Sequence, residues 1–564
     1  MYDQGNTDCL LLANKPANLF GEVVSNIQPV TDQPYGSTTM DDGLPSDAVG
    51  SRVSCDGERG TVRFVGTVPP TTGLWLGVEW DNPERGKHDG THEGIHYFTC
   101  RHPKGGSFIR LKKASFGVDY LTAIRGRYKK EVQQILNEEI TISSKTVEMV
   151  GFEAVTEKQK EEFLTTVALR MCEVSKPGAD NEIRKVTPHV VSLDLSGNLL
   201  SRWEDVAAIT EQMEPLRELV LSHNRLRVPI KPMALNQAFS SLKVLSLKKC
   251  TLTWPQLLEC VPMWPQLEEL YVSENDITKL ESPSQQVLES LTILDLSDNP
   301  LVEDSLLSIS QLPRLENLNL SKTGLSTIWF NDAQPGFKTA MFPALKMLAL
   351  NNNNISDWLV VSELEKLSSL VKLSCRNNPL LSRENNPETA TQLLIARVGK
   401  LEVLNRSQIT LEERRGAELD YCKMFGLEWL ASGGHRDPQQ NHPSTEFTAQ
   451  HPRYLMLIQK YGAPEEGELK KPEPFALKNQ LLSITFLCPE DSDRKPIVKK
   501  LPDSMIIQKV KGLLYRLLKI PGVQLKLSYA SSKMEGTEID IDNDLKPLQF
   551  YSIEDGDKVL VRWS

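Results

Sequence analysis

One short stretch of this sequence carries residues that could bind an anion. The stretch reads Gly86-Lys87-His88-Asp89-Gly90, so a lysine lies on a loop that is framed by two glycines. A lysine on such a loop can reach a carboxylate, and the backbone N–H groups of the loop add further donors. The stretch therefore predicts an anion-binding loop.

Two other strings match part of a metal-site motif. Residues 92–96 read HEGIH, like the HExxH of zinc proteases, which must be helical to bring both histidines to one face. Gly94 lies inside the string, and Tyr97 and Phe98 predict that it continues as a strand. In a strand, residues four apart are separated by roughly 13 Å and cannot share one metal ion.

The second string, Asp540-x-Asp542-x-Asp544, begins like a calcium-binding loop. Leu545 and Tyr551 stand where such a loop needs glycine and glutamate. The sequence also lacks a phosphate-binding loop and a nucleophile elbow. We therefore expect neither an enzyme nor a cofactor or metal site.

The composition limits the class of protein. At 564 residues the chain is too long for one core, so several domains are expected. The net charge of −10 argues against general affinity for nucleic acids or anionic membranes. Nine cysteines without a CxxC pair are typical of reduced thiols in the cytosol. The apolar patch at residues 10–13 is too short for a signal peptide or a membrane span.

The anion-binding loop lies in a glycine-rich β region. Between residues 47 and 116, glycines separate short β-type runs such as Thr61–Val65 and Trp75–Trp80. Many glycines in a small β domain indicate tight turns and close backbone approaches. The preceding residues 1–44 have no sustained period and read as a flexible leader, in which Met40 is a possible alternative start.

The longest element of the chain is a repeat. The frame LxxLxLxxNxL recurs at spacings of 24–30 residues, which is the spacing of leucine-rich repeats. Each frame predicts a short strand followed by a turn at the asparagine, and Cys172, Cys250 and Thr323 occupy the asparagine position elsewhere. Stacked repeats form a curved solenoid whose concave face binds macromolecules. The frames start at Leu164, Val190, Leu216, Leu242, Leu267, Leu291, Leu315, Leu345 and Leu370.

Charged helical segments flank the repeats. We predict helices over 129–139 and 157–163 before the array. Helices over 389–398, 411–430 and 454–461 are predicted after it, the second opened by a capping box at Thr410 and Glu413. The final region is predicted to contain strands at 481–488, 496–501, 524–529 and 558–563. Its single helix should bury the face formed by Ile506, Val510, Leu513, Leu514 and Leu517.

Three parts of the chain resemble known families. The runs GTVRFVG (60–66), GLWLGVEWD (73–81), GKHDG (86–90), GIHYFTC (94–100) and GGSFIR (105–110) resemble a CAP-Gly domain. The C-terminal strand and helix order resembles ubiquitin, but the chain ends Val561-Arg562-Trp563-Ser564 without the Gly-Gly that conjugation needs. The predicted fold is thus a multidomain α/β protein, with a small β CAP-Gly domain, a leucine-rich repeat solenoid and a C-terminal β-grasp ubiquitin-like domain. The predicted boundaries are 1–44 leader, 45–118 CAP-Gly domain, 119–163 connector and N-terminal cap, 164–405 repeats, 406–461 helical C-terminal cap, 462–477 linker and 478–564 ubiquitin-like domain.

The CAP-Gly resemblance implies a binding site. That family holds acidic tails, often ending in Tyr or Phe, with a Gly-Lys-Asn-Asp-Gly loop and an aromatic groove. By matching position, Lys87 and Arg110 would face the acidic peptide, and His88 departs from the family's asparagine. Phe64 and Phe98 could instead be simple core residues. The implied tail-binding residues are Phe64, Trp75, Gly86, Lys87, His88, Asp89, Gly90, Phe98, Phe108 and Arg110.

The domain order is similar to that of the tubulin-specific chaperones, which implies a cytoplasmic, cytoskeleton-associated protein. Its partners would be α-tubulin and other tubulin-folding cofactors, notably the β-tubulin-binding one, in assembly and dissociation of the αβ heterodimer. A receptor for the ubiquitin-like domain is a further possible partner, whereas no nucleic acid and no membrane are expected. The alternative is a microtubule-associated adaptor that recruits partners without altering tubulin.

Overall fold

The computed structural model describes residues 44–137, 141–142, 145–146, 161–284, 287–383, 386–465, 467–469, 481–491, 493–519, 525–530 and 538–563. The predicted leader, including Met40, lies outside these residues except for its last position. The chain from Asp47 onward forms one compact unit. No helix in the described part of the chain combines the length and apolar character that crossing a bilayer requires.

The CAP-Gly domain is built on an antiparallel sheet in the order β1-β2-β3-β6. Its alternating apolar residues bury one face, with Val53, Val62, Leu76, Val78 and Trp80 in the interior. The strands are β1 (Arg52–Cys55), β2 (Glu58–Thr67), β3 (Leu74–Trp80), β4 (Thr91–His92), β5 (Ile95–His96) and β6 (Gly106–Arg110).

The HEGIH string is a hairpin, which corrects the prediction of a continuous strand. His92 pairs with Ile95 and Thr91 with His96, so the two histidines lie on different strands. The turn residues Glu93 and Gly94 have φ values of 47° and 78°, a conformation that glycine adopts without steric cost.

The connector begins with β7 (Val118–Asp119) and α1 (Tyr120–Asn137), followed by the short hairpin β8 (Thr141–Ile142) and β9 (Lys145–Thr146). α1 starts nine residues before the predicted helix because the Asp119 carboxylate accepts a hydrogen bond from the Thr122 N–H at 2.8 Å. Tyr120, Leu121 and Ile124 pack into the core of the repeats, so the start of this helix covers the first repeat.

The repeats form a sheet in which ten parallel strands, one from each turn of the solenoid, pair in chain order and β21 closes the end. The central residue of each three-residue strand is buried while its neighbours point to the other face. The strands from here to the end of the array are β10 (Thr166–Ala168), β11 (Val174–Lys176), β12 (Ser192–Asp194), β13 (Glu218–Val220), β14 (Val244–Ser246), β15 (Glu269–Tyr271), β16 (Ile293–Asp295), β17 (Asn317–Asn319), β18 (Met347–Ala349), β19 (Lys372–Ser374), β20 (Val403–Leu404) and β21 (Ser407–Gln408). Of these, β11 pairs with β7 outside the repeat sheet.

The asparagine position of each frame links neighbouring repeats. The Asn299 side chain donates to the carbonyl oxygens of Val272 and Leu296 and accepts from the Asn275 N–H at 3.0 Å. Where asparagine is replaced, Cys250 donates its S–H to Leu221 O and Thr323 donates its hydroxyl to Leu320 O. Cys250 and Thr323 therefore still satisfy buried carbonyl groups.

Short helices connect the strands, and longer ones close the end of the array. The predicted helix over 411–430 divides at Phe425 into two helices, while its capping box at Thr410 and Glu413 is present. The helices are α2 (Glu182–Val186), α3 (Trp203–Thr210), α4 (Trp254–Cys260), α5 (Trp358–Leu364), α6 (Pro379–Arg383), α7 (Pro387–Arg397), α8 (Leu411–Met424), α9 (Gly426–Ala431), α10 (Thr445–Gln450) and α11 (Tyr454–Tyr461), with 3₁₀ turns at Glu161–Phe163, Pro232–Phe239, Val261–Met263 and Glu303–Ile309.

The C-terminal domain is a five-stranded sheet in the order β23-β22-β26-β24-β25 with one helix. This is the predicted β-grasp arrangement, in which the first and last strands are parallel. The helix buries Ile507, Val510, Leu514 and Leu518. Val510 and Leu514 confirm part of the predicted face, and the half-buried Leu513 packs against the same core. The prediction was wrong for Leu517, which is exposed and whose place Leu518 takes. The elements are β22 (Leu481–Leu487), β23 (Ile497–Pro502), α12 (Ile507–Leu518), β24 (Leu525–Ala530), β25 (Glu538–Ile541) and β26 (Lys558–Trp563).

Candidate peptide-binding site of the CAP-Gly domain

One face of the β2-β3-β6 sheet gathers most of the residues that the sequence nominated. Gly77 on β3 pairs with Phe64 on β2 and with Phe108 on β6, which places the two aromatic side chains on either side of a glycine. Gly77 is required there because a Cβ atom would lie 2.4 Å from the Phe98 ring. The sequence of small and aromatic residues thus creates a shallow aromatic surface.

Phe108 is the centre of this aromatic cluster. Its ring centroid lies 5.1 Å from His88, 5.3 Å from Tyr97 and 5.5 Å from Phe98. Phe98 is buried and forms the base of the cluster, whereas Phe64 and Phe108 remain half-buried. Phe98 is therefore a core residue, and the half-buried rings can still offer an apolar surface to a ligand.

Trp75 and Arg110 lie two residues further along the strands and form a separate pair. The Arg110 guanidinium stacks 3.8 Å from the centroid of the Trp75 ring. The Arg110 guanidinium also donates to the carbonyl oxygen of Thr72 at 2.9 Å. The indole N–H of Trp75 donates to Thr71 Oγ1 at 2.7 Å. Arg110 is thus partly occupied by its own domain, and Trp75 is not part of the Phe108 cluster.

The glycines of the loop allow its close contact with the neighbouring strand. A Cβ atom at Gly86 would lie 1.9 Å from Lys104 O, and one at Gly90 would lie 1.6 Å from Phe98 O. The Lys87 N–H donates to Gly106 O at 2.7 Å, which fixes the loop backbone against β6. The loop is held rigidly beside the aromatic cluster as a result.

The Lys87 side chain is exposed. Within the described residues it makes neither a hydrogen bond nor an ion pair, in contrast to Arg63 and Arg101, which both bind Glu79. Burial opposes ionisation of Glu79, but the bonds from the Arg101 N–H and from Arg63 outweigh it and lower its pKa. Lys87 is therefore the loop's available cation.

His88 is half-buried, and its Nδ1 accepts a hydrogen bond from the Gly90 N–H at 3.1 Å. Burial lowers the pKa of His88, and the nearby His92 and Lys87 lower it further while Asp89 opposes them. Because Nδ1 accepts this hydrogen bond, the neutral imidazole carries its proton on Nε2, and the lowered pKa favours this neutral form. Asp89 in turn accepts from the Thr91 N–H at 2.9 Å, which lowers its pKa and orders the turn.

Two residues of the cluster were not nominated from the sequence. Tyr97 lies 5.2 Å from Phe64, and His92 lies 6.0 Å from Phe108, measured between ring centroids. Tyr97 was considered only as part of a strand signal, and His92 only within the HEGIH string. Their place beside Phe108 results from the hairpin, whose turn at Glu93 and Gly94 could have been anticipated from the glycine.

Within the described residues, no group of three or more His, Cys, Asp or Glu side chains is placed to hold a metal ion. The site instead combines one free cation, backbone donors and aromatic surface. This combination can bind a carboxylate next to an aromatic or aliphatic side chain.

Parts of the chain match two protein families, and most of its length matches curated relatives. The model of the CAP-Gly domain family matches residues 49–114, and that of the leucine rich repeat family matches residues 265–325. Tubulin-specific chaperone E of Danio rerio is 66% identical over 92% of this chain and 99% of its own length, and that of Homo sapiens is 51% identical over 93% and 100%. The solution structure of the C-terminal ubiquitin-like domain of mouse tubulin-specific chaperone e is 60% identical over 15% of this chain and 88% of its own, with a TM-score of 0.15.

Proposed function

This chain belongs to the tubulin-specific chaperone E family, and from that premise we propose that it binds α-tubulin at two surfaces. The CAP-Gly domain holds the acidic tail, and the repeat solenoid holds the folded body. With other tubulin-folding cofactors, notably the β-tubulin-binding one, the protein assembles and dissociates the αβ heterodimer in the cytoplasm. It acts without chemistry of its own.

One observation carries the tail-binding part of this proposal. The exposed ammonium of Lys87 has no partner among the described residues and lies on a rigid loop beside the Phe108 cluster. The terminal carboxylate of a tail would bind Lys87, while its last side chain would contact Phe64, Tyr97 and Phe108. Because the loop and the cluster are already ordered, little conformational entropy would be lost on binding.

The solenoid offers a second surface on the helix-free face of its sheet. A cavity of about 520 Å³ lies there, across β15 to β20. Asn317 and Asn319 offer amide groups, Met347 is 40% exposed, and Lys372 and Arg406 add positive charge at one end. A surface of this mixed character suits a folded protein better than a small apolar ligand.

Two weak contacts on one chain reinforce each other. Once the tail is held, the body of the same tubulin molecule is present at a high effective concentration near the solenoid. CAP-Gly domain and solenoid belong to the same compact unit, which favours such simultaneous binding.

The microtubule adaptor is the alternative, and co-sedimentation separates the two functions. Purified protein is mixed with preformed microtubules, and pellet and supernatant are assayed for both proteins. A chaperone leaves the polymer depleted and remains with free subunits in the supernatant, more strongly when the β-tubulin-binding cofactor is added. Enrichment of the protein in an undiminished pellet would favour the adaptor.

A further inference from the structure

A group of basic side chains lies where the CAP-Gly domain meets the first repeats. We define it as the seam cluster: Arg59, Arg170, His223, Arg225 and Lys249. Arg59 comes from β2, and the other four lie in the turns that follow the first, third and fourth strands of the repeat sheet, β10, β13 and β14. The Arg59 guanidinium lies directly over Gly197, where a Cβ atom would be 2.5 Å from Nη1.

Few carboxylates lie near the seam cluster, and two of them already pair with cations outside it. Asp81 accepts from Arg52 at 2.8 Å and lies 3.5 Å from Arg225 Nε. Glu274 lies 2.6 Å from Lys248 and 3.9 Å from Lys249. Glu58 is the remaining carboxylate that acts on Arg59. The cations therefore exceed the carboxylates that face them.

Two guanidinium nitrogens of the seam cluster are buried without a partner. Nη1 of Arg59 and Nη1 of Arg225 make no hydrogen bond within the described residues. The exposed side chain of Arg170 likewise has no hydrogen-bonding or ionic partner there. Burial lowers the pKa of His223, and the charges of Lys249, Arg170 and Arg59 lower it further, which is the electrostatic effect expected in an excess of positive charge.

Backbone hydrogen bonds at the end of β3 connect the seam cluster to the anion-binding loop. The Trp80 N–H donates to Gly105 O at 2.8 Å, in the turn that supports the Lys87 loop. The next N–H, that of Asp81, donates to Arg59 O at 2.9 Å. An extended peptide advances about 3.3 Å per residue, so roughly ten residues cover the width of a small domain. A peptide whose end lies at Lys87 is long enough to reach the seam cluster with its upstream residues.

We propose that the seam cluster binds the glutamate side chains that lie upstream of the peptide end held at Lys87. This inference rests on the proposed tail binding and extends it to the border of the solenoid. The occupant is an acidic peptide segment, because carboxylates on a flexible chain can reach several separate guanidinium groups. The contacts also orient the tail from the CAP-Gly domain towards the repeats.

The test uses the full chain and two synthetic peptides of twelve residues that both end in Glu-Glu-Tyr. One carries four further glutamates upstream, and in the other these are glutamines. Titration calorimetry at low ionic strength should show the glutamate peptide binding about tenfold more tightly, since several partly exposed ion pairs add up. The advantage should shrink as salt is added.

The decisive variant is Arg170→Gln with Lys249→Gln, because both side chains are exposed and lie outside the contact with Asp81. It should lose most of the glutamate advantage and keep wild-type affinity for the glutamine peptide. Lys185→Gln with Lys231→Gln removes the same charge elsewhere on the solenoid and should keep the full advantage. If both double variants lose the glutamate advantage equally, only the net charge of the protein matters for it, and the proposal is overturned.

The outcomes separate this proposal from the proposed function. If neither peptide binds the wild type, tail binding itself fails. If both bind equally at low salt, tail binding stands and the seam cluster has no part in it. A twelve-nucleotide single strand that displaces the glutamate peptide and depends on Arg170 and Lys249 would assign the surface to nucleic acid and overturn the proposal.

Discussion

At the scale of single residues, His88 shows how one side chain can replace another of different chemistry. The CAP-Gly family has asparagine at this position, and an asparagine oxygen commonly accepts the N–H two residues later. Here the Nδ1 of His88 accepts the Gly90 N–H. His102 and His435 do the same with the N–H groups of Lys104 and Asp437. Histidine therefore keeps the turn. Unlike asparagine, it can be protonated on Nδ1, which removes the acceptor and disrupts the turn.

Lys87 provides the first prediction. In the full chain, Lys87→Ala should weaken binding of an acidic Tyr-ended peptide about tenfold or more, because a charge-assisted hydrogen bond is lost. Calorimetry measures the affinity, and Lys113→Ala, which removes an exposed charge after β6, should change it less than about twofold. Unchanged affinity in the Lys87 variant would refute the site.

The second prediction concerns the pH dependence of the loop. Because the folded-state pKa of His88 lies below its ordinary value of about 6.5, the unfolded loop takes up a proton more readily. Neutral His88 therefore contributes fully to the stability of the folded loop above about pH 6.5. This contribution is lost as the pH falls from that value through the lowered folded-state pKa. Protonation also turns the acceptor facing the Gly90 N–H into a donor.

Amide hydrogen exchange at Gly90 tests this effect. Its protection, corrected for the intrinsic pH dependence of exchange, should fall between pH 7.5 and 5.5 in the wild type and stay nearly constant in His88→Asn. Parallel changes in the two proteins would show that another group is responsible. Binding of acidic peptides should gain from a proton on His88 only below about pH 6.5.

At the scale of elements, the solenoid is a row of strands joined by buried polar side chains. In the frame that starts at Leu291, Leu294, Leu296 and Asn299 are all fully buried. The Asn299 side chain bonds to its own repeat and to the preceding one, so the two repeats are coupled. Packing and hydrogen bonding should therefore fail together when one repeat is damaged.

The third prediction follows from this coupling. Leu294→Ala or Leu296→Ala should cost about 2–5 kcal/mol of unfolding free energy, because each leaves a cavity in a close-packed core. Ile230→Ala serves as control, since Ile230 is 96% exposed and its truncation should cost less than about 0.5 kcal/mol. Denaturant unfolding of the full chain measures all three. A leucine variant as stable as the control would contradict the assigned packing.

At the scale of the whole molecule, polar contacts join the C-terminal domain to the helical cap. The Arg415 guanidinium donates to Tyr529 OH at 2.6 Å, Lys546 lies 3.5 Å from Glu413, and Lys423 pairs with Glu554. Three of these charged residues lie on α8, so this helix carries the interface. The C-terminal domain nevertheless keeps its own apolar core, from Ile484 to Val561.

The fourth prediction uses a glycine in that interface. A Cβ atom at Gly416 on α8 would lie 2.4 Å from Phe550 O. Gly416→Ala should therefore displace the C-terminal domain, although alanine favours a helix by roughly 1 kcal/mol. Hydrogen exchange over residues 546–554 should accelerate. Gly512→Ala on α12, where nothing lies within 4 Å, should stabilise instead; stabilisation by both substitutions would mean that the domains do not touch at Gly416.

The fifth prediction concerns the C-terminal domain by itself. Because its apolar core is separate from that of the solenoid, a fragment that starts near Lys478 should fold alone. Well-dispersed amide resonances would confirm this, and resonances bunched as in a random coil would contradict the boundary.

The sequence by itself determined the features that depend on near neighbours. The leucine frame predicted Leu294 and Leu296 as interior residues, and Thr410 with Glu413 marked the start of α8. The last strand was predicted with its bounds, Lys558–Trp563. These features could be predicted because periodic burial and helix capping depend on residues that are only a few positions apart in the chain.

Only the tertiary structure decided which surface each element faces. Periodicity places a helix face to within one residue, or about 100° of rotation, and in α12 the opposing sheet selected Leu518 over Leu517. The contact of Asp81 with Arg225 and that of Gly416 with Phe550 join residues more than a hundred positions apart. No local pattern encodes such pairs, because their energy arises from charges and backbone atoms that meet only after each domain has folded.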